Sequence, residues 1–191
     1  MKVDVNGSSM ELKVGDITKQ KTDAVVNAAN GTLMGGGGVD GAIHKAAGKE
    51  LLEACKWIRD HELNGEQLST GQAVITEAFQ LPASWVIHTV GPVWGGEEEK
   101  LKALLADCYR NSFKCAMEKG IKSISFPSIS TGVYRFPIDL AAQVALTTIM
   151  EFLQRNDFGQ VVMTLFSDKD YEVYATALQR LLDNEGENNR F

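Results

Sequence analysis

Cysteine is scarce: Cys55, Cys108 and Cys115 are all there is, an odd number with no Cys-x-x-Cys pair. That excludes a disulfide framework and points to a reducing compartment. Cys108 and Cys115 are seven apart on an expected helix, so they share a face and are best read as small buried apolar residues. Histidine is equally sparse. His44, His61 and His88 stand apart without ligand spacing, which argues against zinc, and no metal site is expected. No dense Lys/Arg run occurs, and the formal net charge is -6 at pH 7. A general nucleic-acid binder needs a basic face, so this balance argues against one. No apolar run approaches the roughly 20 residues that span a bilayer. Met1–Val5 carries no secretory hydrophobic region. A cytoplasmic protein without a membrane partner is expected. Internal repeats and low-complexity linkers are also missing.

What is present is an ordinary globular balance, 44% hydrophobic and 23% charged over 191 residues. A chain of that size buries about 70% of the surface its unfolded form exposes, and needs neither disulfide nor metal to fold. One domain over residues 1–182 is expected, followed by a polar tail over 183–191 that frays. Short β-rich runs alternate with helical patterns. Strands are predicted at Met10–Val14, Ala24–Asn27, Ala73–Glu77, Trp85–Val90, Ile121–Phe126 and Val161–Phe166. Helices are predicted at Gly41–Ile58, Glu98–Lys119, Ile138–Gln154 and Lys169–Leu182. This alternation implies an α/β sandwich with helices on both sheet faces. Ligands on such folds bind outside the carboxyl ends of strands. The loops after Val26, Phe126 and Phe166 are therefore the places for a site.

The stretch Asn27 to His44 is the most informative. Gly35–Gly38 are four consecutive glycines, which strip every Cβ from one length of backbone. Glycine is costly in conformational entropy, so such a run just before a helix invites a functional reason. Bare backbone approaches a phosphate closely, successive N–H groups cradle it, and the helix adds its positive end. The plain alternative is a floppy surface loop. Gly36, Gly38 and Gly41 formally satisfy Gly-x-Gly-x-x-Gly. A nicotinamide dehydrogenase is nevertheless disfavoured. Ala28–Met34 separates the glycines from their strand, and Trp57–Gly65 is no second strand ending in an acidic residue. A P-loop is excluded, since no Gly-Lys-Ser/Thr follows. Asp40 sits inside this anion-friendly loop, where a carboxylate would repel a diphosphate. It reads either as a helix N-cap or as a catalytic or ribose-orienting group.

A second loop, Phe126–Tyr134, follows a strong strand and brings small hydroxyls, Gly132 and an aromatic. Gly132 opens backbone to phosphate, and Tyr134 can cover a ribose. The loop is not a Gly-x-Ser-x-Gly nucleophile elbow, and a Ser–His–Asp hydrolase finds no assignable partners.

Taken together, Gly15–Thr18, Val26–Asn30, the Gly35–Gly41 loop, Val86–Pro92 and Pro127–Tyr134 resemble the macrodomain family, and within it the MacroD type. The likeness runs from about Leu12 to Leu182. It implies a three-layer α/β/α fold around a mixed sheet and a cleft for ADP-ribose. By this resemblance Asp16 accepts from the adenine amino group, with the Ile17 backbone nearby. Phe166 lies against the adenine, unless it is simply core. Gly37, Gly38 and Val39, with the backbone of Ser130, Thr131, Gly132, Val133 and Tyr134, hold the diphosphate. Asn30 bonds the distal ribose, Asn27 supports it, and Asp40 takes the catalytic position; these three form the implied catalytic set. His44 is read as supporting or structural. Arg135, where many relatives have glycine, and the longer Lys56–Thr70 segment depart from the pattern. The implied function is hydrolysis of mono-ADP-ribose from aspartate or glutamate side chains, with deacetylation of O-acetyl-ADP-ribose. The partners are then ADP-ribosylated proteins, with no metal or redox cofactor, and a monomer is expected. A non-hydrolytic ADP-ribose reader is the main rival. A poly(A) or RNA module is disfavoured by the acidic balance.

Overall fold

The computed structural model describes residues 1–188. Its strands are β1 (Lys2–Val5), β2 (Ser8–Val14), β3 (Ala24–Ala29), β4 (Ala73–Glu77), β5 (Trp85–Val90), β6 (Ser123–Phe126) and β7 (Gln160–Leu165). They form one sheet in the order β1-β2-β7-β6-β3-β5-β4. The inner pairs β2–β7, β7–β6, β6–β3 and β3–β5 are parallel, and the two edge pairs are antiparallel. The helices are α1 (Gly38–Ala47), α2 (Lys49–His61), α3 (Glu98–Glu118), α4 (Ile138–Arg155) and α5 (Asp168–Asn188).

Strand alternation assigns the two faces. Ala24, Val26 and Ile87 join Phe113, Ile149 and Tyr174 in a core under α3, α4 and α5. Val25, Ala29, Val86 and Val90 join Ile43, Leu51 and Cys55 under α1 and α2. The result is a three-layer α/β/α sandwich around a mixed sheet. Asn27 and His88 share the second face, in register with each other on β3 and β5. Both are fully buried, so that mostly apolar layer contains polar side chains that need partners.

Several strand and helix ends shift by one or two residues from expectation, and three differences are larger. The predicted helix Gly41–Ile58 is two helices, because Gly48 adopts φ 92 and its N–H closes onto the His44 carbonyl at 3.2 Å. That left-handed cap ends α1. β1 was not anticipated, yet Asn6-Gly7 at φ 49 and 81 is the two-residue turn that joins it to β2. The final helix continues beyond Leu182 to Asn188, and residues 189–191 of the expected tail lie outside the described residues. Among the described residues no helix is long and apolar enough to cross a membrane.

Candidate active site

The parallel strands β2, β7, β6 and β3 all end on one edge of the sheet, and every loop singled out above leaves from that edge. After β3, Asn30 Nδ2 donates to the Gly35 carbonyl at 2.8 Å, and Thr32 Oγ1 donates to Asn30 Oδ1. This pins the glycine loop back onto the strand. Gly36 threads between the Asn30 amide and the Asp40 carboxylate; a Cβ there would stand 3.2 Å from Asn30 Nδ2 and 3.4 Å from Asp40 Oδ2. A Cβ on Gly41 would overlap the Gly36 carbonyl oxygen, so the first turn of α1 and the loop close without room for a methyl group. At Gly37 and Gly38 a Cβ would meet nothing within 4 Å. Their bare backbone faces open space at the helix N-terminus, where N–H groups have no partner within the helix.

The second loop leaves β6 and is fastened at three points. Ser128 Oγ shares a 2.8 Å hydrogen bond with the Tyr174 hydroxyl of α5. Thr131 Oγ1 donates to Ser128 Oγ at 2.8 Å. Trp94 N–H donates to the Tyr134 carbonyl at 2.8 Å. Ser130 adopts φ 68 and is packed so closely under Gly91 that a Cβ on Gly91 would overlap its hydroxyl. Arg135, also left-handed at φ 60, closes a turn onto the Gly132 carbonyl at 3.0 Å.

Between the two loops lies a cleft of about 380 Å³. It brings together Asn30, Gly37, Gly38, Val39, Asp40, Ser130, Gly132, Val133 and Tyr134 of the residues expected from the sequence. Gly36, Ser128 and Ile129, inside the two expected loops but not named as contacts, also line it, as do Ala28, Ala29 and Gly91. Thr131 is in the loop but spends its hydroxyl on Ser128. Asn27 stands behind the cleft, out of its lining. A hollow of similar size between α4 and α5, lined by Asp139, Gln143, Glu172 and Arg180, has no exposed glycine backbone. The chemistry favours the cleft.

Asp16, Ile17 and Phe166 lie further along the same edge. β2 and β7 are in register to Val14↔Leu165, and Gly15 N–H donates to the Leu165 carbonyl at 2.9 Å, so the residues that follow emerge side by side. Phe166 is 91% exposed, which rules out the core role for it. Asp16 Oδ1 accepts from Thr18 N–H at 2.9 Å and Thr18 Oγ1 at 2.7 Å. Those bonds, the hydroxyl first, hold its carboxyl below the usual range. Ile17 itself is buried in the second core.

Asp40 is not the helix cap. The cap position is Gly37, with no side-chain bond, and Asp40 lies inside the first turn. Only 4% exposed, it takes a 2.9 Å hydrogen bond from Asn27 Nδ2 on Oδ1, while Oδ2 has no protein partner. His44 Nε2 approaches Oδ1 to 3.4 Å. Sequence reasoning missed what stands behind Asn27: His88 Nδ1 at 3.2 Å, and beyond it Thr76 Oγ1 at 3.0 Å from His88 Nε2. The available signal was a histidine and an asparagine on strand positions whose neighbours of the same parity are apolar.

These features define a macrodomain. The Macro domain family model matches residues 26–145, more than half of the chain, and the chain belongs to that family. It is 53% identical over 164 residues to the macro domain-containing protein CT2219 of Chlorobaculum tepidum, covering 85% of this chain and 91% of that one. It is 49% identical over 181 residues to the O-acetyl-ADP-ribose deacetylase of Escherichia fergusonii, covering 94% and 98%. Among solved structures, the Oceanobacillus iheyensis macrodomain with ADP superposes with a TM-score of 0.94 at 55% identity, over 96% of this chain and 97% of that one. The G37V mutant of that macrodomain, solved with ADPR, gives the same TM-score and identity over 96% and 98%.

Proposed function

We propose that this protein hydrolyses esters of ADP-ribose. It removes mono-ADP-ribose from modified aspartate and glutamate side chains and deacetylates O-acetyl-ADP-ribose. The observation that carries this reading is the Asp40 carboxylate: buried, anchored through one oxygen, and left with the other unpartnered at the wall of a glycine-lined cleft. A site built only to hold a diphosphate has no use for a negative charge there. The name of the Escherichia fergusonii relative and the ADPR-bound state of the Oceanobacillus iheyensis mutant support the same substrate class.

The sheet order supports a ligand extended along this edge. From β2 to β3 there are three strand intervals, about 14 Å at roughly 4.8 Å each, room for an extended nucleoside, diphosphate and second ribose. Asp16 takes the adenine amino group, the Ile17 backbone lies alongside, and Phe166 stacks on the ring. The diphosphate rests on backbone N–H groups of Gly37, Gly38 and Val39 and of Ser130–Tyr134. The distal ribose reaches Asn30 and Asp40, with Asn27 behind. In the reaction, water adds to the ester carbonyl carbon, the bond from that carbon to the ribose oxygen breaks, and the ribose keeps a hydroxyl as the free carboxylic acid leaves. Asp40 Oδ2 orients the ribose and the water; a substrate phosphate shares in activating that water. Both substrates carry the ester on the distal ribose, so one site serves both.

Incubation with a protein ADP-ribosylated on glutamate or aspartate tests the reading. Release of free ADP-ribose is the expected result. Tight retention of ADP-ribose without release would make the protein a reader instead.

A further inference from the structure

We infer that His88, held as the neutral tautomer with its proton on Nε2, is a positioning residue that fixes the Asn27 amide and through it the Asp40 carboxylate. The argument is a count of hydrogens. Asn27 Nδ2 carries two. It lies 2.9 Å from Asp40 Oδ1 and 3.2 Å from His88 Nδ1. Reversing the amide would set its oxygen against the carboxylate, so nitrogen must face Asp40. One hydrogen goes to Asp40, and the second goes to His88 Nδ1, which must then offer a lone pair. The imidazole proton is left on Nε2, where Thr76 Oγ1 accepts it at 3.0 Å. Cys55 Sγ, 3.9 Å from Nε2, is the remaining close polar neighbour.

The surroundings agree. His88 is faced by Asn27 from β3, Thr76 from β4 and Cys55 from α2. The His44 ring of α1 lies 6.4 Å away, centroid to centroid, with Asp40 beyond Asn27. Burial, then the nearby His44, pushes His88 down to about 3, and burial pushes the Cys55 thiol up to about 12, so both stay neutral near pH 7. An imidazolium would aim Nδ1–H at the Asn27 NH₂, donor against donor. With the amide locked this way, Asn27 Oδ1 and Asp40 Oδ2 remain as buried acceptors without a protein donor. Leaving two such acceptors dry is costly. Of the two, Asp40 is the one at the cleft wall, where a hydroxylated sugar or a water can supply a donor and an anion alone does not.

The kinetic consequence rests on the hydrolase reading; the tautomer does not. In ¹⁵N-histidine-labelled wild-type protein, long-range ¹H–¹⁵N correlations at about pH 7, near the ordinary histidine value of roughly 6.5, are expected to show His88 Nδ1 unprotonated and Nε2 protonated. The opposite tautomer or an imidazolium overturns the inference. His88→Leu keeps bulk and removes the acceptor. It is expected to lower kcat within the roughly 10–100-fold range of groups that support reacting ones, with KM little changed. His88→Asn can offer an oxygen near the Nδ1 position and is expected to recover most of that loss. Wild-type kcat in a folded His88→Leu, or no recovery in a folded His88→Asn, overturns the role. Should either variant fail to fold, Thr76→Val removes only the acceptor for Nε2–H. The Asn27 hydrogen still faces Nδ1, so the tautomer is expected to hold while kcat falls as the ring loses its anchor, and a shift of the proton to Nδ1 counts against the inference. If wild-type protein releases no ADP-ribose, the hydrolase reading falls while the tautomer still decides this one.

Discussion

At the scale of single residues, Asp40 sets chemistry against binding. On the proposed reading its charge repels a diphosphate, so removing it relieves a penalty, while the orientation of ribose and water is lost. Asp40→Ala and Asp40→Asn should both bind ADP-ribose within about tenfold of wild type, a difference of about 1.4 kcal/mol. Turnover of an ADP-ribosyl-glutamate substrate should fall by about a hundredfold or more in both. The asparagine variant can still accept from Asn27 Nδ2, so it keeps the buried contact and loses only the charge. Wild-type turnover by Asp40→Asn would end the catalytic assignment. Because the helix cap is Gly37, loss of a cap does not confuse the result. In the proposed binding mode Asp16 serves binding alone. Asp16→Ala should weaken ADP-ribose by roughly tenfold, the lower end of a charge-assisted bond because the carboxylate is exposed. Unchanged affinity by calorimetry would remove Asp16 from the site. Asp16, Asn30 and Asp40 were legible because each sits in a local motif. His88 and Thr76 were not assigned roles: their contacts are made across strands of the sheet, and composition carries no trace of which buried polar group meets which.

Among the elements, periodicity located β4 and β5 residue for residue, since alternation and β-branched content act locally. It joined α1 to α2, because the apolar pattern runs through Gly48 and only the φ of 92 there reveals the break. The glycine loop was legible as backbone meant for close approach, but which glycine is sterically required was not. The structure divides them. Alanine inside a helix ordinarily stabilises relative to glycine by about 0.5–1 kcal/mol, and Gly41 is within α1. The overlap with the Gly36 carbonyl reverses that sign. Gly41→Ala should lower the melting temperature and weaken ADP-ribose binding together, by pushing Gly36 away from Asn30 and Asp40. Gly37→Ala, with nothing within 4 Å of the new methyl and φ -97, should melt with the wild type. Equal melting of the two variants would show that the loop gives way freely and does not act as a fixed cradle.

For the molecule as a whole, the buried polar chain beneath the cleft ties the stability of the fold to acidity. An unfolded His88 takes up a proton as pH falls through its ordinary 6.5, whereas the folded residue resists until about 3. Between those values the unfolded state binds the extra proton, so the contribution of neutral His88 is fully present above about 6.5 and is lost progressively on acidification. Full uptake of one proton tilts the balance by about 1.4 kcal/mol per pH unit. Carboxylates protonate in the same range and steepen the fall in any variant, which is why the comparison must be internal. Urea midpoints at about pH 7, 5.5 and 4.5, spanning that window, should drop more steeply for wild type than for His88→Asn, whose carboxamide takes no proton. The two curves should converge toward the acid end even if the variant starts lower at neutral pH. Parallel curves would mean that His88 is protonated as readily in the fold as in the unfolded chain. An imidazolium beside the Asn27 amide cannot coexist with the hydrogen bond that holds Asp40, so that outcome would dissolve the chain from Thr76 to the carboxylate as well.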